Sequence, residues 1–353
     1  VSLKHEIEAR LEEVAFPSFR HSIVRYGLVE DVRTEGGSVT VVLRPVSRRR
    51  EVTEQIAARI RAVLSTISAV RSIEIAGAAP AHAGGHGHAH PSPGQGQIAI
   101  PGVSHIVAVS SAKGGVGKST VAVNLAIALQ RGGSRVALMD SDVYGPSVPL
   151  MMGLDARPRS AGDKISPIER YGVDVMSMGF FLDDSSPVIW RGPMVMGLVR
   201  QFLRDVDWGV QDYLIVDMPP GTGDAALTLA QQVPLSGAVI VTTPQEVALA
   251  DVERGIAMFR QLQVPLLGIV ENMSYYVCPE CGEPDEVFGS GGGEALARRF
   301  GVPLIAKLPL VPDVREGGDE GRPITVTSPD HQVSKQFDML AKSIEQTLAS
   351  RGR

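Results

Sequence analysis

Lys113-Gly114-Gly115-Val116-Gly117-Lys118-Ser119-Thr120 lies between an apolar run that ends at Ser110 and a stretch with helical spacing, Ser119 to Gln130. The spacing predicts a buried strand over Ile106 to Val109, a glycine-rich turn and a helix that starts near Lys118. Glycines let successive backbone N–H groups turn inward around an anion, and the helix N-terminus adds partial positive charge. Lys118 can reach the β- and γ-phosphates of a nucleotide, and the Ser119 hydroxyl can bind Mg²⁺. The loop departs from the general motif. Where a glycine is expected five residues before Gly117 the chain has Ala112, and it carries a second lysine, Lys113, at the loop entrance.

Outward from the loop the order is strand, helix, strand, helix. Further short apolar runs stand at Arg135 to Met139, Val173 to Met178, Tyr213 to Val216, Ala238 to Thr242, Leu266 to Val270 and Leu304 to Ile305. Near-continuous apolar runs fit strands buried on both faces of a parallel sheet. The fold class expected is α/β: a P-loop NTPase with a mostly parallel central sheet flanked by helices, plus a small N-terminal α+β domain. Met139-Asp140-Ser141-Asp142 follows one strand, so its carboxylates emerge at the sheet's C-terminal edge beside the loop. Val216-Asp217-Met218-Pro219-Pro220-Gly221-Thr222-Gly223-Asp224 follows another. An aspartate after a strand is often only a cap or a turn residue.

The Lys-Gly-Gly-Val-Gly-Lys-Ser-Thr form resembles the deviant Walker A loop of the MinD-type ATPases. That resemblance implies a nucleotide-sandwich dimer in which Lys113 crosses to the partner's phosphates, where a cation delivered in trans would stabilise charge developing in phosphoryl transfer. It also implies that Asp142 orients the attacking water, that Asp140 lies near the metal and that Asp217 is the Walker B carboxylate holding Mg²⁺ through water. Pro219 to Gly223 would be a switch loop sensing the γ-phosphate. Asn272, in Glu271-Asn272-Met273-Ser274, resembles the family's base-recognition asparagine, whose amide both donates and accepts; Pro309 to Asp313 would line the other side of the base.

The chain has two cysteines, Cys278 and Cys281, in Tyr276-Val277-Cys278-Pro279-Glu280-Cys281-Gly282. Two thiols so spaced can grip one metal centre, whereas a Zn²⁺ ion or an Fe–S cluster normally takes four ligands. Two copies of the chain would supply four, on the axis of a symmetric dimer. A thioredoxin-like redox pair and two unligated surface thiols are the competing readings. With this turn included, residues from about 100 to 350 resemble the Mrp-type iron–sulfur cluster carriers. The resemblance implies a homodimer that holds a labile [4Fe-4S] cluster between Cys278 and Cys281 of both subunits and passes it to apo iron–sulfur proteins in a cycle needing ATP.

Residues 1–76 read as the small domain. It has a helix over Lys4 to Val14, strands over Ile23 to Val32 and Ser38 to Leu43 around a Gly36-Gly37 turn, a helix over Val52 to Leu64 and a strand over Val70 to Ile75. It resembles, more loosely, the iron–sulfur-assembly-type domain of that family. Phe16-Pro17 stands where Asp-Pro is usual, and Arg44-Pro45-Val46-Ser47-Arg48-Arg49-Arg50 replaces a cysteine-containing loop, so this domain has no thiol for iron and reads as a docking or regulatory module. Residues 77–100 form a Gly/His/Pro-rich linker with His82, His86, His88 and His90. It is read as a solvated spacer, with weak divalent-metal binding as the sharper alternative. Residues 101–353 are assigned to the ATPase domain. Its last segment, Gln332 to Ser350, puts Val333, Phe337, Leu340, Ile344 and Leu348 on one stripe, core packing rather than a membrane or partner face.

A net charge of −5 argues against a broad nucleic-acid surface. No apolar run approaches the ~20 residues a membrane span needs, and the start of the chain lacks a signal-peptide core; a cytoplasmic protein is expected. The rivals to a carrier are a MinD/ParA-like positioning or partition ATPase, which has no use for the cysteine pair, and a Zn-bridged scaffold dimer with slow ATPase. A reductase like nitrogenase iron protein fits less well, since cluster cysteines there are far apart in sequence.

Overall fold

In the computed structural model the apolar runs pair edge to edge at the heart of the larger of two compact units, Val1–His90 and Pro91–Arg353. The structure describes residues 3–12, 14, 23–24, 28–35, 37–43, 50–76, 97–143, 145–161, 164–181, 192–278 and 280–351. The linker histidines, Phe16-Pro17, the Arg44–Arg49 stretch and Pro279 lie outside them.

The first unit comprises α1 (Leu3–Leu11), β1 (Val29–Glu35), β2 (Ser38–Leu43), α2 (Arg50–Leu64) and β3 (Ser72–Ala76). β1 and β2 pair antiparallel, and β3 returns parallel to β2 after the helix. Alternate residues Val39, Val41 and Leu43 face a core with Ile7, Leu11, Ile56, Ile60 and Leu64. The strand expected from Ile23 begins later, at Val29. Ile23 stands in a turn, its carbonyl accepting from Leu28 N–H, and is buried there instead of through a pleat.

The second unit runs β4 (Val103–Ser110), α3 (Lys118–Arg131), β5 (Val136–Asp140), α4 (Val148–Met152), β6 (Arg159–Ala161), β7 (Lys164–Ser166), β8 (Ile168–Arg170), β9 (Val173–Ser177), α5 (Gly192–Asp205), β10 (Gln211–Asp217), α6 (Asp224–Gln232), β11 (Gly237–Thr242) and α7 (Glu246–Gln261). It continues with β12 (Leu266–Glu271), β13 (Tyr276–Val277), β14 (Pro284–Asp285), α8 (Gly292–Phe300), β15 (Leu304–Lys307), α9 (Pro312–Asp319), α10 (Ile324–Thr327) and α11 (Gln332–Arg351). The main sheet has the order β15-β12-β11-β4-β10-β5-β9-β8. All its neighbours are parallel except the edge pair β8–β9. Side chains alternate across it: Ile106, Ala108, Leu214 and Val216 face α5 to α8, while Val107, Val109, Tyr213 and Ile215 face α3 and α11. The α11 stripe is part of that second layer, its five apolar residues buried.

This winding decides where a ligand can go. From β4 the chain first builds outward through β5 and β9, then returns through β10 to the other side of β4. The reversal leaves a crevice at the strands' carboxyl ends. Among the described residues no helix is long and apolar enough to cross a membrane.

Candidate functional site

The loop after β4 opens into the crevice. Gly115 and Gly117 both sit at φ 81°, in the left-handed region that glycine enters without penalty. Gly117 is doubly constrained, because a Cβ there would lie 2.2 Å from Asn272 Nδ2. The loop is pinned from within and from across the sheet. Ser111 Oγ donates to the Lys113 carbonyl (2.9 Å), Gly221 N–H donates to the Ser111 carbonyl (2.8 Å), and Asn272 Nδ2 donates to the Val116 carbonyl (2.9 Å). Around it is a cavity of ≈ 450 Å³, lined by Gly114, Gly115, Gly117, Lys118, Ser119, Thr120, Asp142 and Asn272, by Leu150, Met151, Pro309, Leu310, Val311 and Val314, and by Arg315 and Asp319. A lining that joins a phosphate loop to apolar side chains suits a nucleotide.

Register brings the acidic residues together. Asp217 ends β10 and stands opposite Asp140, the end of β5. Ser141 ties the two segments, its N–H and its hydroxyl both donating to the Asp217 carbonyl at 3.0 and 2.6 Å. The Asp217 carboxylate is fully buried and shared: Lys118 Nζ donates to one oxygen (2.6 Å) and Ser119 Oγ to the other (2.6 Å). Asp140 lies one strand further from the loop, and neither it nor Asp217 lines the cavity. Its carboxyl accepts from Ser177 Oγ (2.8 Å) and from the N–H groups of Asp142 (3.1 Å) and Val148 (3.4 Å). Burial, and then the Asp217 charge, push Asp140 up to about 7. Burial also raises Asp217, against the pull of Lys118. Asp142 does line the cavity and accepts from Gly145 N–H at 3.2 Å. Lys113 is exposed at the loop entrance. One buried cation thus faces several buried carboxyl groups, and the oxygens of Ser119, Asp142 and Asp217 are the hard donors that suit Mg²⁺. Among the described residues no three His, Cys, Asp or Glu side chains gather closely enough to hold a metal by themselves.

The cysteines lie elsewhere on the same segment. β13 and β14 make a short hairpin, with Tyr276 opposite Asp285 and Val277 opposite Pro284. Cys278 N–H donates to the Glu283 carbonyl (3.1 Å), and Gly282, at φ 75°, donates back to the Cys278 carbonyl (2.9 Å). Cys281 is exposed and Cys278 half-buried; neither is in a disulfide. The Cys278 thiol is held below its ordinary range first by the backbone N–H of Cys281, then by that of Glu280, then by the Cys281 side chain. Backbone donors turned toward sulfur favour the thiolate, the form that binds metal.

Sequence reading did not single out Glu271, Ser274, Ser177 or the Lys118–Asp217 pairing. Ser177 and Lys118 meet partners dozens of positions away, Glu271 reaches a helix that follows a glycine run, and Ser274 bonds Glu271 three positions before it, across a left-handed turn that the sequence does not announce.

The family profile described as ParA, NUBPL iron-transfer P-loop NTPase, matches residues 102–345, and one described as iron-sulfur cluster assembly protein matches residues 4–75. A relative named iron-sulfur cluster carrier protein, from Synechocystis sp., is 44% identical over 340 residues, 95% of this chain and 94% of its own length. A solved nucleotide-binding protein from Archaeoglobus fulgidus, in complex with ADP, is 39% identical with TM-score 0.60, covering 67% of this chain and 93% of that one. The cell division ATPase MinD of Pyrococcus furiosus, 24% identical with TM-score 0.55 over 69% of this chain and 99% of its own, shares the fold. With the profile spanning the phosphate loop, both acidic segments and the cysteine turn, the chain belongs to the NUBPL-type iron-transfer P-loop NTPases.

Proposed function

We propose that this chain is an ATP-dependent carrier of iron–sulfur clusters, which holds a [4Fe-4S] cluster at a homodimer interface and hands it to apo iron–sulfur proteins in the cytoplasm. One observation carries the reading: the two cysteines stand on a backbone-ordered turn, with Cys281 exposed and Cys278 six positions along the chain from Asn272 in the nucleotide cavity. A single chain offers two thiols, and a four-iron cluster takes four ligands. Two copies related by a two-fold axis supply the set.

At the nucleotide end, the loop N–H groups and Lys118 would hold the phosphates. Lys118 is now neutralised by Asp217, so arriving phosphate oxygens compete with that carboxylate for the ammonium. Mg²⁺ would be held by Ser119 with Asp217, and with Asp140 behind it, and would supply charge neutralisation of the phosphates. Asp142 would orient the water, a role its position in the cavity wall supports. Exposed Lys113 is free to reach the phosphates of a second subunit. Asn272 bridges the loop to β12, and its place in the cavity wall suits contact with the base.

Anaerobic reconstitution with iron and sulfide tests the reading. The wild-type dimer is expected to take up about four irons and Cys278→Ala close to none. Uptake by the variant equal to wild type would remove the ligand assignment. Visible absorption near roughly 400 nm separates an Fe–S cluster from colourless Zn²⁺, the scaffold alternative.

A further inference from the structure

Glu271 is the last residue of β12 and is fully buried. A buried carboxylate is expensive unless its oxygens are satisfied; Lys307 stands opposite Glu271 on β15, but its ammonium is paired with Glu294. Here Oε1 accepts from Ser274 Oγ (2.6 Å), and Oε2 accepts from Gly293 N–H (2.7 Å), 22 positions further on and in the first turn of α8. Gly293 is what admits this contact, since a Cβ there would stand 2.6 Å from Oε2. The helix N-terminus adds favourable charge. Everything between those two points, residues 272–292, is one excursion from the sheet. It carries Asn272 at its start and Cys278 and Cys281 at its middle.

The same segment is laced to the cavity wall by its backbone. Leu308 N–H donates to the Glu271 carbonyl (2.9 Å), Ser274 N–H to the Leu308 carbonyl (2.8 Å) and Leu310 N–H to the Tyr275 carbonyl (2.7 Å). Pro309 and Leu310 line the nucleotide cavity, and they also line a second cavity of ≈ 280 Å³ whose other wall includes Tyr276 and Val277, the strand that leads into Cys278. Between Asn272 and Ser274 the chain passes through Met273 at φ 53°, a conformation unfavourable for a side-chain-bearing residue. Such a turn persists only where its surroundings fix it, and the Glu271–Ser274 bond closes it.

We propose that Glu271 is a positioning residue which fastens both ends of the 272–292 excursion and so makes the nucleotide cavity and the cysteine turn move as one piece. The inference rests on the carrier reading for what the cysteines hold, but the fastening itself does not.

The test uses the full chain and three variants. In Glu271→Ala both acceptors are lost. In Glu271→Gln one acceptor is kept and both contacts can be made, because the amide oxygen accepts from Gly293 N–H while the amide nitrogen donates to Ser274 Oγ, reversing the direction of that bond. Ser274→Ala removes one partner only. Two quantities are read: amide hydrogen exchange over residues 275–286 in the nucleotide-free protein, and the ratio of affinities for a fluorescent ATP analogue with Mg²⁺ between cluster-free and cluster-loaded protein. The wild-type ratio is expected to be about fivefold or more, in either direction. Glu271→Ala is expected to exchange about tenfold faster over 275–286 and to bring the ratio to near 1, with Glu271→Gln within about twofold of wild type in both.

A Glu271→Ala protein that keeps the wild-type ratio, whatever its melting temperature, overturns the proposal, as does a Gln variant that behaves like Ala. If the Ala variant does not fold, Ser274→Ala decides: a ratio closer to 1 supports the proposal and an unchanged one overturns it. A wild-type protein that binds its iron but shows a ratio of 1 sinks the coupling and leaves the carrier reading standing. A wild-type protein that binds no iron sinks the carrier reading, and exchange over 275–286 then decides the fastening alone, unchanged rates in Glu271→Ala overturning it.

Discussion

The phosphate loop and the cysteine turn are built by opposite means. Around the loop the work is done by buried side chains that meet each other across strands: Lys118 on Asp217, Ser119 on Asp217, Ser177 on Asp140. At the turn it is done by backbone, in a two-residue-strand hairpin whose sulfur-bearing tip is open to solvent. A dry, cross-braced site can place charge against a charged ligand with little reorganisation. A half-buried sulfur held by main-chain N–H groups, with an exposed one three positions on, is accessible to a second protein and offers only part of a ligand set. The buried charges of the first site meet within one chain, whereas the second offers two of the four ligands that a cluster normally takes.

The largest way to break that contrast is Lys118→Ala. It strips the buried Asp217 carboxylate of its cation, an uncompensated buried charge that costs roughly 3–5 kcal/mol. ATP turnover should fall by at least about 10²-fold, as for loss of a main transition-state contact. Thermal unfolding and turnover assays measure the two effects. Nucleotide-free iron uptake at the cysteine turn should stay at the wild-type level in the folded variant; a parallel loss of iron would mean that the two sites are not separately built.

Lys113→Ala sharpens the same contrast from outside the buried cluster. The side chain is exposed, so stability should stay within about 0.5 kcal/mol of wild type. If Lys113 serves a second subunit's phosphates, kcat should drop about 10²-fold or more. A hydrolysis rate unchanged at saturating ATP would rule out the role in trans.

Burial also makes the nucleotide site answer to pH in a way the open turn does not. In the folded protein Asp140 keeps its proton up to about 7, against a reference value of 3.8. Between those values the folded state binds the proton that the unfolded chain releases. The contribution to stability is therefore full below pH 3.8 and is lost as pH rises through about 7. The nucleotide- and magnesium-free protein should lose up to about 4 kcal/mol across that window from this group. Chemical unfolding at pH 4 and at pH 7.5, roughly the two ends, compared with Asp140→Asn, isolates the term. A pH slope identical in the variant would mean that Asp140 is ionised throughout.

Much of this contrast could be read before any coordinates. The glycine-lysine loop and the short β-branched runs dictate a parallel sheet with a crevice at one edge, and each apolar run of the larger unit became a strand of it. Ile23 shows the limit: an apolar residue can reach the core through a turn as well as through a strand, and the sequence pattern is the same in both. The small strands between Arg159 and Arg170 carry no apolar run that would announce them. Among site residues, the aspartates after strands were legible because position follows from the sheet. Their partners were not. Nothing local says that Ser177 serves Asp140 or that Glu271 reaches Gly293, since those choices are made by register and by a glycine run admitting a carboxylate.

The finest cut lies inside the phosphate loop, between two glycines of identical φ. Gly115 and Gly117 are both at 81°, so an alanine at either pays the left-handed penalty of about 1–2 kcal/mol. At Gly115 nothing stands within 4 Å of the added Cβ, and that penalty is the whole cost. At Gly117 the Cβ lands 2.2 Å from Asn272 Nδ2, which is itself committed to the Val116 carbonyl. Relief requires Asn272 to leave that bond, which adds roughly 1–3 kcal/mol for the partner left unsatisfied. Gly117→Ala should therefore melt lower than Gly115→Ala and should also disturb Asn272, visible as a shifted side-chain amide resonance in the nucleotide-free protein. Equal melting temperatures for the two variants would mean that Asn272 gives way freely and does not bind the loop to β12. The joint between the nucleotide cavity and the segment leading to the cysteines would then have to lie beyond Asn272, with Glu271 and Leu308 as its remaining fixed points.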